Sequence, residues 1–194
     1  INQMKKSLFV LLAALVVLST GFISYHNHMS GRLSQAGVTR ESTVQAEVQK
    51  ENEYREKIAE WVFDRSSKIS RQASRQIVDE AFRYNHPLLL LALCQAESEF
   101  SPTAYSSAQA IGLGQIRWTI WGKTLTQAGI LKEARDLYDV SMNIRATNFI
   151  IGTLMKSAKG NPLAVLESYV GGKHKSYTDK VASNFLQLSM IKNA

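Results

Sequence analysis

With 194 residues the chain has room for one domain of ordinary size and some appendages. Its single cysteine, Cys94, excludes an intramolecular disulfide. The net charge of +7 gathers after residue 60, but the basic cluster Lys173-His174-Lys175 near Lys180 comes with no nucleic-acid motif, so it reads as a solvated loop.

The first element is apolar. From Ser7 to Tyr25 no residue is charged, and the stretch is long enough to cross a bilayer as a helix. Lys5 and Lys6 precede it, so residues 1–25 read as a membrane anchor, and the positive-inside rule puts the N-terminus in the cytoplasm and everything after Tyr25 outside it. A cleaved signal peptide has the same n- and h-regions. No A-x-A site follows the apolar run and no lipobox cysteine is present, which favours an uncleaved anchor.

Residues 26–69 read as linker and charged spacer. His26 to Thr39 is polar and glycine-containing, and from Arg40 to Lys57 charges of both signs alternate as in a solvated helix. Val44 and Val48 signal a coiled coil only weakly, and Trp61-Val62-Phe63 adds apolar bulk for packing on the domain that follows. That domain is expected over 70–194. Ser70 opens a helix carrying Ile77, Ala81 and Phe82, with a stop near Asn85-His86-Pro87. Further helices are expected over Leu88–Glu97, Gln115–Thr126, Asn143–Ala158, Pro162–Tyr169 and Tyr177–Ile191. The fold class is all-α, with short irregular strands in the loop from Phe100 to Ile111 at most.

Glu97 stands out in this pattern. The run Leu88–Ala96 is apolar all round, so its helix belongs in the core, and Glu97 sits near the C-terminal end. Desolvation and the negative pole of the helix both favour the protonated acid, which lets such a group donate a proton near neutral pH. Glu99 lies about 200 degrees further round a helix and points elsewhere. Asp136, Asp139 and Glu167 sit in no motif and suit surface roles. Cys94 reads as a small buried side chain.

Four motifs follow in order. They are Glu97-Ser98 with Phe100, Pro102 and Ala104; Gly112-Leu113-Gly114-Gln115-Ile116; Asn143-Ile144-Arg145-Ala146; and Ser168-Tyr169-Val170-Gly171-Gly172. Together they resemble the lytic transglycosylase domain of the goose-lysozyme-like superfamily, whose members cut peptidoglycan between MurNAc and GlcNAc. The resemblance covers about residues 70 to 190.

The resemblance implies a lysozyme-like helical domain that uses no cofactor or metal and has Glu97 as its single catalytic carboxyl. In the family that carboxyl acts first as acid and then as base. The MurNAc N-acetyl group assists departure, and the 6-hydroxyl then attacks C1 to leave a 1,6-anhydro end. Ser98, Gly112, Gln115, Tyr169 and Tyr177 are the implied substrate-binding residues, and Tyr169 matches the tyrosine whose hydroxyl approaches the acid. Ser98 suits either substrate or Glu97. Trp118 and Trp121 suit either sugar stacking or core packing, and Asn143 and Arg145 a helix start. Gly114 stands where the family usually has Met and Val170 where it usually has Asn, implying a cleft with less apolar bulk and one polar contact fewer. The implied partners are peptidoglycan strands, the membrane and a wall-spanning machine of the secretion, conjugation, pilus or phage kind, without nucleic acid. A hydrolytic muramidase and a non-catalytic glycan-binding module are the competing readings.

Overall fold

The computed structural model describes residues 37–191, so the expected span Ser7–Tyr25 and the linker up to residue 36 lie outside the described residues. Among the described residues no helix is long and apolar enough to cross a membrane. The chain divides into two compact units, Ile1–Tyr54 and Arg55–Ala194.

Helix α1 runs Gly37–Asp64, starting inside the stretch expected as linker. Its residues 43–50 are exposed, as their charge pattern requires, and Gln49 Nε2 donates to Glu53 Oε1 one turn on (2.9 Å). In the second unit the character of the helix changes. Ile58, Ala59, Trp61 and Val62 are buried, and the Trp61 ring meets Phe100 edge-on at 6.0 Å. Salt bridges from Arg71 to Glu60 and from Arg75 to Glu56 join these turns to α2, Arg71–Ala81.

Local chemistry explains most helix limits. Ser70 caps α2 by accepting from Ala73 N at 3.1 Å. Pro87 occupies the first turn of α3, Pro87–Ser98, where its missing N–H costs nothing. Leu88 to Cys94 are all buried, so α3 is the central helix. It lies along α7, Lys175–Ile191, and against α2 and α5, Val140–Ser157. α3 stops because Glu99 turns left-handed, with φ of 53°.

Beyond α3 the backbone makes a small hairpin. β1, Ala110–Ile111, pairs antiparallel with β2, Ile116–Arg117, and Tyr105 bridges to Ile111. The expected helix start at Gln115 is therefore corrected. Gln115 is left-handed (φ 47°) and the next two residues pair as strand, so α4 runs Trp118–Gln127. A 3-10 turn, Ala134–Tyr138, precedes α5, and Asp139 caps α5 through Met142 N (2.8 Å). α5 thus begins at Val140, and Asn143 is free for another task. Asn161 caps α6, Pro162–Val170. A second apolar cluster, with Ile111, Ile116, Leu125, Leu137 and Ile150, holds the hairpin on α4 and α5.

Candidate active site

Helix α7 runs antiparallel beside α3 and donates three side-chain hydrogen bonds to it. Tyr177 OH donates to Glu97 Oε1 (2.6 Å), Lys180 Nζ to Ala96 O (3.0 Å) and Asn184 Nδ2 to Ala92 O (3.2 Å). Helical spacing puts 177, 180 and 184 on one face of α7, and 92, 96 and 97 form the matching face of α3. Glu97 is half-buried in its last turn. Burial raises its pKa above the ordinary carboxyl value, while the Tyr177 hydrogen bond and the Lys180 charge pull it back part of the way.

The thiol and the phenols around Glu97 are neutral. Burial pushes the Cys94 thiol up to about 12, assisted by the Glu97 charge, so Cys94 is the inert core residue expected. Burial also raises Tyr177, and the Glu97 carboxylate adds to it. Glu99 is exposed on the left-handed cap, off the face that carries Glu97. Among the described residues no three His, Cys, Asp or Glu side chains gather as metal ligands.

The end of α3 that carries Glu97 also meets the turn Gly112–Gln115, through Ser98. Gly112 has φ of +70°, and a Cβ there would sit 2.3 Å from both Asn143 Nδ2 and Leu137 O, so only glycine fits. Asn143, 1% exposed, holds the turn from α5. Its Nδ2 donates to Leu137 O (2.7 Å) and Ile111 O (3.1 Å), and its Oδ1 accepts from Gly114 N (2.8 Å). Ser98 Oγ donates to Leu113 O (2.8 Å), tying the end of α3 to the same turn. Tyr169 OH donates to Gly114 O (2.8 Å).

The implied site residues are thus brought together, but several do other jobs than expected. Tyr177, not Tyr169, carries the hydroxyl bonded to Glu97. Tyr169 is near enough for the carboxylate charge to raise its pKa, after burial as the main cause, yet its bond goes to the turn. Ser98 likewise serves the backbone rather than Glu97. Gln115 turns its Nε2 inward to Gly112 O (3.1 Å) and Ala104 O (3.4 Å), so its amide nitrogen braces the loop instead of standing free for a sugar.

Gly114 has no room for a side chain, because a Cβ there would lie 2.2 Å from Thr147 Oγ1 and 3.0 Å from Tyr169 OH. Thr147 and Tyr169 fill the volume. Trp118 and Trp121 pack on the apolar cluster under the hairpin, with the Trp118 ring over Gly122 of its own helix, so core packing accounts for their spacing. Val170 is half-buried at the end of α6. Asp136 and Asp139 accept backbone hydrogen bonds at helix starts. Asn143, expected at a helix start, instead braces the glycine turn, and Thr147, Lys180 and Asn184 are parts of this region that the sequence reading does not single out.

The family model of the transglycosylase SLT domain matches residues 77–186, more than half of the chain and the span that holds Glu97, the glycine turn, Asn143, Tyr169 and Tyr177. Comparisons with curated proteins and with solved structures give no match.

Proposed function

Since the chain belongs to the transglycosylase SLT domain family, we propose that it cleaves the MurNAc-GlcNAc β-1,4 bond of peptidoglycan with Glu97 as the sole catalytic carboxyl. The observation that carries this reading is the environment of Glu97. It is half-buried with a raised pKa, and among the described residues the titratable groups acting on it are a tyrosine and a lysine, not a second carboxylate.

The geometry suits a two-stroke proton transfer. With Tyr177 donating to Oε1, the proton of neutral Glu97 rides on Oε2, which is the atom to protonate the glycosidic oxygen. As that C–O bond breaks, the N-acetyl oxygen of MurNAc attacks C1. The Glu97 carboxylate, steadied by the Tyr177 hydroxyl, then takes the proton of the 6-hydroxyl, whose oxygen closes on C1 and releases the acetamido oxygen. Glu97 ends protonated and the sugar ends as a 1,6-anhydro ring. Water is not consumed.

Residues 70–194 are taken as the catalytic domain, carried on the spacer 26–69 and anchored by residues 1–25, which places it outside the cytoplasm on a wall-spanning machine. The uncharged run after Lys5 and Lys6 supports the anchor. The function is tested by mass spectrometry of purified peptidoglycan after digestion. Anhydro ends are expected. Reducing ends would mean a hydrolytic muramidase, and unchanged strands a non-catalytic binding module.

A further inference from the structure

Lys180 follows Tyr177 by one turn on α7, and its ammonium is fixed on the Ala96 carbonyl at the C-terminal turn of α3 (3.0 Å). Tyr177 on one side and Asn184 on the other bond to the same helix, so the register of the two helices does not let residue 180 slide away from the acid. Resting on the reading of Glu97 as the acid, we propose that Lys180 is a positioning residue whose anchored ammonium lowers the upper pH limit of glycan cleavage.

The titratable groups facing Glu97 are Cys94 from its own helix, Tyr169 from α6, and Tyr177 and Lys180 from α7. Burial keeps the thiol and both phenols neutral. Among the described residues this leaves Lys180 as the charge that acts on the acid. The neighbouring Lys175 is engaged with Asp179 one turn on, and Glu99 is on the exposed cap.

The ammonium answers two fields at once. It sits on an end carbonyl of α3, where a cation is favoured by the helix dipole, and it offsets the negative pole that would otherwise hold Glu97 protonated to still higher pH. A positive charge stabilises the carboxylate. The acid therefore gives up its proton at a lower pH than burial alone would set, and the alkaline limb of cleavage lies correspondingly lower. In exchange, the carboxylate is available as base for the second stroke. Because the Lys180 side chain is exposed, its effect weakens with salt.

The test is a carbon-NMR titration of the Glu97 carboxyl in native protein, Lys180→Met and Lys180→Arg. The resonance is assigned by its loss in Glu97→Gln, and a pH profile of peptidoglycan cleavage is measured for each protein. Lys180→Met should titrate higher by about half a unit to one unit, with its alkaline limb moved the same way. Lys180→Arg should keep the native midpoint and limb, and salt should move the native protein toward Lys180→Met. A Lys180→Met midpoint that coincides with the native one, even with a lowered melting temperature, overturns the proposal and leaves Lys180 a helix tie only. Cleavage surviving Glu97→Gln overturns the acid assignment itself, and that outcome is distinct from an unmoved titration with an inactive Glu97→Gln.

Discussion

The two sides of the site use hydrogen bonds for opposite ends. On the α3–α7 face the donors Tyr177 and Lys180 are half-buried or exposed and converge on the last turn of α3, where Glu97 keeps one carboxyl oxygen uncommitted. On the turn face Asn143, Ser98 and Tyr169 direct their polar atoms to backbone groups of residues 111–114 and 137, and Asn143 and Ser98 are buried. One face holds a carboxyl with an oxygen left over, and the other fixes the turn that follows β1. Two tyrosines eight residues apart in sequence thereby acquire unrelated tasks.

The largest expected effect falls on the first face. Glu97→Gln should lower cleavage by about 10²–10⁴-fold, whereas Glu99→Gln should leave it near native. The melt is informative too. A carboxyl whose folded pKa is raised stabilises the fold fully below its unfolded value of about 4.3, and this contribution is lost as pH climbs through the raised value. Glutamine carries no such cost, so Glu97→Gln should melt at or above the native temperature at pH 7, with the gap closing in acid. A Glu97→Gln protein that melts below native at pH 7 and above it in acid would contradict this sign.

The second face should answer in stability. Asn143→Ala removes three hydrogen bonds inside the fold, those to Gly114 N, Ile111 O and Leu137 O, and should cost about 3 kcal/mol or more by urea unfolding. Gly114→Ala drives a Cβ into Thr147 and should cost about 1–3 kcal/mol, part of it returned when Thr147→Ala is added. Additive costs in that double variant would mean the two side chains do not compete for one space.

Much of this was legible in the sequence. Ser70, Pro87 and Pro162 mark helix starts by their own chemistry, and an all-round apolar run ending in Glu97 locates both the core helix and its costly carboxyl. The misassigned parts depend on long-range packing. Tyr177 lies 80 residues from Glu97, and only the antiparallel docking of α7 on α3 decides that its hydroxyl, not that of Tyr169, arrives there. That Gly114 has no room for a side chain is invisible in the sequence, because Thr147 and Tyr169, which crowd it, come from later helices. Gln115 lost its helix to a two-residue strand pairing that no periodicity announces.

The division of labour between the tyrosines is tested most directly by measuring pH profiles of cleavage and unfolding curves for Tyr177→Phe and Tyr169→Phe side by side. Tyr177→Phe should lower the rate plateau about two- to tenfold. It should also move the alkaline limb upward, because a hydrogen bond favouring the Glu97 carboxylate is gone, with stability near native. Tyr169→Phe should keep the native limb and lose about 1 kcal/mol of stability as Gly114 O goes unpaired. A limb that moves in Tyr169→Phe and stays in place in Tyr177→Phe would contradict the account.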